Sequence, residues 1–131
     1  MKGVDTNLLV RFLVNDDQRQ AATVRQLLQR CEAEKSSLFV PLPVVLELLW
    51  VLDAAYGVGR EELITALEDL LAMPVFEFDR QPAVRAFLLA ARRSDGDLSD
   101  LLIAHVAADA GCDTLLTFDR RAARHELFEL L

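Results

Sequence analysis

Gly96-Asp97-Leu98-Ser99-Asp100-Leu101-Leu102-Ile103-Ala104-His105-Val106-Ala107-Ala108-Asp109-Ala110-Gly111-Cys112-Asp113-Thr114-Leu115-Leu116-Thr117-Phe118-Asp119-Arg120 reads as a helix followed by a strand. Ser99 is the expected N-cap, and Asp100 then falls in the first turn, where a negative side chain is favoured. Leu101, Leu102, Ile103, Val106 and Ala110 recur near the helical period. Gly111 is a stop signal. Asp113 opens a turn, and 114–117 is a short, largely apolar run of the kind buried in a parallel sheet. The unit therefore sets Asp100 at a helix start and Asp119 just beyond the carboxyl end of a strand, the edge where ligands bind in open α/β sheets.

Working outward, the same alternation fills the chain. Residues 2–6 read as a first strand, and Asn7 opens a helix carrying Leu8, Leu9, Phe12 and Leu13, so Asp5 lies at a strand-to-helix turn. Residues 17–34 form a second helix with Ala21, Val24, Leu27, Leu28 and Cys31 on one face. A strand follows at 37–40. Pro41 and Pro43 lead into a third helix, where proline is tolerated in the first turn. Further helices are expected at 60–73 and 82–93, and further strands at 75–78 and 127–131. Strands alternating with helices imply a mostly parallel sheet covered by helices on both faces, a three-layer α/β/α arrangement. Right-handed crossovers would put the strand ends together and bring Asp5 to Asp119.

In the third helix, every residue from 44 to 52 is apolar except Glu47. A helix apolar all round is expected to be buried, and a buried lone carboxylate needs a partner or a metal. A solvent stripe or an arginine partner is the plainer alternative.

Composition bounds the rest. The chain has 131 residues, 53% of them apolar, enough for one domain (1–131) with a real core. The run 44–52 is too short to span a bilayer. The chain opens on an apolar segment with no signal-peptide layout, and Cys31 and Cys112 lack metal-ligand spacing. A cytoplasmic protein with two reduced core thiols and no membrane partner is the expectation. Net charge is −7, which argues mildly against non-specific nucleic-acid binding. Four acids gathered in a metal pocket would account for −4 of that charge. The bases are clustered as Arg92-Arg93 and as Arg120, Arg121 and Arg124.

Four carboxylates converging without bases need a cation, and an all-oxygen set suits Mg²⁺ or Mn²⁺. Metal-activated water can then attack a phosphodiester without a side-chain nucleophile.

Val4-Asp5-Thr6-Asn7, Glu47-Leu48-Leu49-Trp50-Val51-Leu52, Asp100-Leu101-Leu102-Ile103-Ala104 and Thr117-Phe118-Asp119 resemble, in order, the motifs of PIN-domain ribonucleases, in particular the VapC-type toxins of toxin–antitoxin pairs. The resemblance covers essentially the whole chain. It implies Mg²⁺-dependent RNA cleavage with Asp5, Glu47, Asp100 and Asp119 as the acidic set. It also implies a homodimer and an inhibitory antitoxin partner. Family members often carry an aromatic residue shortly after the last acid, where this chain has Arg121 and Ala122. Asp97 competes with Asp100 for the third acidic position.

Thr6, Asn7 and Thr117 are candidates for orienting carboxylates or waters, with capping and turn chemistry as the other reading. Arg92, Arg93, Arg120 and Arg121 are candidate RNA contacts; a solvated basic face is the plainer reading. His105 and His125 have no ligand spacing and read as structural or surface residues. Trp50 and the phenylalanines read as mainly core. Two rival functions remain: a catalytically silent PIN-like RNA-binding module, and a receiver-like phosphoryl-accepting signalling domain. The second needs a lysine after a late strand, and neither Lys2 nor Lys35 fits.

Overall fold

A computed structural model describes residues 1–131. The chain forms two compact units, Met1–Asp79 and Arg80–Leu131. Both are built from parallel strands alternating with helices, the expected α/β class.

The first unit carries β1 (Lys2–Gly3), α1 (Thr6–Val14), α2 (Gln18–Ala33), β2 (Leu38–Val40), α3 (Leu42–Ala54), α4 (Arg60–Ala72) and β3 (Phe76–Phe78). Its sheet has the order β1-β2-β3, all parallel, with Gly3 beside Phe39, and Phe39 beside Glu77. Val4 N–H donates to the Phe39 carbonyl at 2.9 Å and extends the β1 edge. Leu38 and Val40 are buried, as are Phe76 and Phe78 on either side of exposed Glu77. This period of two is the mark of a strand with unlike faces.

Each helix has a local reason for its limits. The Asp5 carboxylate caps α1, accepting from Leu8 N–H at 3.0 Å. Asn15 closes α1 in the left-handed region at φ 59°, which asparagine tolerates better than most residues. Asp17 caps α2 through Gln20 N–H. Pro41 and Pro43 stand at the start of α3, where no N–H is needed. The buried stripe of α2 is Ala21, Val24, Leu28 and Cys31, close to the expected face. The α4 stripe, Leu63, Ile64, Leu67 and Leu70, is buried.

α3 differs from expectation. It buries Val45, Leu48, Leu49 and Leu52, but Trp50 is 67% exposed and Glu47 is exposed. A helix apolar on all sides need not be buried on all sides. Its neighbours α1 and α4 pack against it and leave Glu47 and Trp50 exposed.

The second unit carries α5 (Gln81–Arg93), α6 (Leu98–Asp109), β4 (Leu115–Thr117), a single 3-10 turn (Ala122–Arg124) and β5 (Phe128–Leu130). α5 packs on α6; α5 buries Ala83, Val84, Phe87, Leu88 and Ala91, and α6 buries Leu98, Leu101, Leu102 and Ala104. β4 and β5 pair in parallel, Leu115 beside Phe128 and Thr117 beside Leu130.

Three sequence expectations fail here. β4 is not a buried strand, since Leu116 is 59% exposed and Phe118 just beyond it 79% exposed. Ile103 is half-exposed at 44% while its neighbours Leu101 and Leu102 dock. Cys112 is exposed, and only Cys31 is a core thiol. No helix is long and apolar enough to cross a membrane.

Candidate active site

The first unit supplies two of the acids singled out by sequence. Asp5 stands at the strand-to-helix turn as expected, exposed, with one carboxylate oxygen committed to the α1 cap. Thr6 follows it and is 95% buried; its hydroxyl has no hydrogen-bond partner. Such a hydroxyl normally costs stability unless it is satisfied. Asn7 is exposed. Glu47 is mid-helix on the exposed side of α3, so it is not the buried, unpaired carboxylate expected from the apolar run. Its solvation removes the desolvation cost that a buried acid would carry.

The second unit gathers Asp97, Asp100 and Asp119 around one cleft of about 630 Å³, together with Arg121, Arg124 and His125. α6 begins two residues earlier than expected. Its cap is Asp97, whose Oδ1 accepts from Asp100 N–H at 3.0 Å, and Ser99 lies inside the first turn. Asp and Ser cap about equally well, so the choice falls to packing: starting at Leu98 lets that side chain be buried. Asp100 is therefore the third residue of the helix, half-buried, with its backbone N–H held by the cap.

The helix N-terminus favours an ionised carboxylate, yet the Asp100 carboxyl is pushed above the usual range. Burial is the main cause, and the negative charges of Asp97 and then Asp119 add to it. Asp97 and Asp119 are thus close enough to repel the Asp100 charge. A divalent cation among these oxygens would relieve both the burial cost and the repulsion. Mg²⁺ usually takes only one or two protein carboxylates and keeps several waters, which this set can supply. No group of three or more His, Cys, Asp or Glu is arranged as a ready ligand cage.

Asp119 is held by its own turn. Its N–H donates to Thr117 Oγ1 at 3.0 Å. Its Oδ1 accepts from Arg121 N–H at 2.8 Å and from Ala122 N–H at 3.3 Å. Thr117 therefore acts on the backbone of Asp119 rather than on its carboxylate. Arg121 lines the cleft, but Arg120, Arg92 and Arg93 do not.

Sequence reasoning missed a histidine pair. The rings of His105 and His125 meet edge to face with centroids 6.3 Å apart, and His125 meets Phe128 in the same way. Twenty residues separate the two histidines, so no local spacing announces the contact. His105 Nε2 is buried without a partner. Burial lowers the His105 imidazole below its ordinary value of 6.5, His125 lowers it further, and Glu126 opposes them.

The sign follows from linkage. The unfolded chain takes the proton more readily, so this contribution is present above 6.5 and is lost as pH falls through the lower folded-state value. Melting temperature should therefore decline as pH drops from about 7.5 to about 5.5, and His105→Gln should flatten that decline. An unchanged slope in the variant would contradict the assignment.

Asp97 allows a cleaner structural test. Asp97→Ala should cost about 1 kcal/mol of stability, and Asp97→Asn close to nothing, because asparagine caps as well as aspartate. Urea denaturation of both variants measures the difference.

The PIN domain family model matches residues 3–126. The chain is also similar to a protein named VapC ribonuclease from Aquifex aeolicus (strain VF5), 27% identical over 121 residues, covering 92% of this chain and 89% of the relative. With parallel α/β architecture throughout and a family match over nearly its whole length, the chain belongs to the PIN-domain family.

Proposed function

We propose that this PIN domain is a Mg²⁺-dependent endoribonuclease, active as one domain over residues 1–131, and the toxin of a toxin–antitoxin pair in the cytoplasm. The observation that carries the reading is the electrostatics around Asp100: a half-buried carboxylate set beside two others calls for a cation. The relative's name, VapC ribonuclease, supports the toxin assignment.

Asp5, Glu47, Asp100 and Asp119 would hold Mg²⁺ or Mn²⁺. When bound, such an ion lowers the pKa of a coordinated water and polarises the phosphodiester. The chain's own part is to aim these carboxylates. Asp100 is fixed through the α6 cap, with Leu101 and Leu102 docked beneath it. Asp119 is fixed by its Asx turn. Asp5 is fixed by the α1 cap. Thr6, Asn7, Asp97 and Thr117 would support these positions rather than ligate.

The test is cleavage of a single-stranded RNA oligonucleotide by purified protein. We expect cleavage with Mg²⁺ or Mn²⁺ and none in excess EDTA. Full activity in EDTA would overturn the mechanism.

The proposed partners are RNA, a cognate antitoxin and a second copy of the chain. Exposed Trp50 on α3 favours a homodimer contact there. Leu63, Ile64, Leu67 and Leu70 of α4 are buried and do not add to that surface. Sedimentation at micromolar concentration should give a dimer for the wild type and monomer for Trp50→Ser.

A further inference from the structure

We propose that Arg121, Arg124 and His125 form the site that grips a backbone phosphate of the RNA, in the same cleft as Asp100 and Asp119. The proposal rests on the nuclease reading and names how the substrate is held.

The cleft combines two opposite sets of charges. Neither the Arg121 nor the Arg124 guanidinium makes an ion pair with the acids that share it. Opposite charges lining one cleft without pairing leave each set free for a ligand. Carboxylates with a divalent cation, and guanidiniums beside them, together match a phosphodiester: its oxygens can meet the ion on one side and planar N–H donors on the other. A cleft of about 630 Å³ lies within the ordinary range for a ligand of nucleotide size.

His125 adds a donor of fixed sense. Leu127 N–H donates to His125 Nδ1 at 3.2 Å. Nδ1 is therefore the acceptor in the neutral ring, and the proton is on Nε2. A neutral His125 thus offers an N–H to an anion without first taking up a proton.

The segment is pinned along its length. Asp119 Oδ1 holds its start through Arg121 and Ala122 N–H. His125 N–H donates to the Ala122 carbonyl at 3.0 Å, and Phe128 N–H to the His125 carbonyl at 3.0 Å. Buried Phe128 anchors the far end. Donors on a backbone already ordered lose less freedom on binding than those on a mobile loop. Arg120 belongs to the same run of bases, yet it lies outside the cleft and has no place in the site.

The test measures binding of a fluorescein-labelled single-stranded RNA oligonucleotide by anisotropy in EDTA, over a range of salt, and cleavage of the same RNA in Mg²⁺. Arg121→Ala and Arg124→Ala should each weaken binding about tenfold at low salt and lower the salt slope by about 0.7 for each lost phosphate contact. Arg124→Lys should recover part of the affinity and most of the slope, since the charge remains and the planar fork is lost. His125→Asn keeps an acceptor for Leu127 N–H and removes the Nε2 donor. It should weaken binding by a few-fold, through the lost donor. In Mg²⁺ the arginine variants should raise KM more than they lower kcat.

Wild-type affinity and salt slope in the folded Arg121→Ala/Arg124→Ala double variant would overturn the proposal while cleavage by the wild type left the nuclease reading intact. Binding that needs these residues, with no cleavage at any Mg²⁺ concentration, would support the phosphate site and overturn the nuclease reading. A wild type that neither binds nor cleaves the RNA would overturn both.

Discussion

Asp100→Asn is expected to reduce Mg²⁺-dependent RNA cleavage by more than the roughly 10- to 100-fold typical of residues that only orient a metal ligand. Two features of its position set that size. Asp100 is the half-buried acid of the cleft, and it is the one whose charge the surroundings resist. A carboxylate held against burial and two like neighbours is a cost to the metal-free fold, and a bound cation turns it into a gain. The variant keeps the side-chain shape and the backbone N–H that Asp97 caps. Its metal-free melting temperature should therefore equal or exceed that of the wild type, while the rise in melting temperature on adding Mg²⁺ should shrink.

Asp97→Asn is the matched control. Its carboxylate caps α6 from the loop before the helix and asparagine keeps that cap, so most activity should survive. The decisive comparison is kcat for the two purified variants at saturating Mg²⁺, alongside thermal shifts with and without the ion. A dead Asp97→Asn beside a near-normal Asp100→Asn would place the third acid one turn earlier than proposed.

The contrast between these two aspartates also shows what a sequence can and cannot reveal. That an acid stands at the head of α6 and another just past β4 was legible, because caps, helical periodicity and a strand-ending turn are local signals. The parallel α/β class was legible for the same reason. Which residue caps α6 was not, since Asp97 and Ser99 are both good caps and only the burial of Leu98 decides between them.

Burial was the recurring source of error. The α3 run around Glu47 and Trp50 is apolar on every side, so its composition could not say which face meets the core. Leu116 and Phe118 have the composition of a buried strand and are exposed. Contacts between residues distant in sequence were invisible. His105 and His125 meet across twenty residues, and Arg124 enters the cleft because a single 3-10 turn redirects the chain after Asp119.

Asp119 sits where these local and distant features join, and two substitutions there should separate its two jobs. Its carboxylate is an expected metal ligand, and its Oδ1 also holds the turn that carries Arg121. Asp119→Asn removes the charge and keeps an oxygen to accept from Arg121 and Ala122 N–H. Cleavage should fall by at least about two orders of magnitude, on the scale set by losing a direct ligand rather than a supporting group. RNA affinity in EDTA should hold or tighten, because one negative charge leaves a cleft that binds phosphate. Asp119→Ala removes both the charge and the acceptor. Cleavage should be lost as fully, and stability should drop by about 1 kcal/mol with the hydrogen bonds. RNA affinity in EDTA should now fall as well, because the segment bearing Arg121, Arg124 and His125 loses its anchor. The Asn and Ala variants should therefore look alike in cleavage and unlike in metal-free binding. Equal RNA affinity in the two would show that the Asp119 carboxylate does not order the basic segment, and its place in this cleft would then be that of a metal ligand alone.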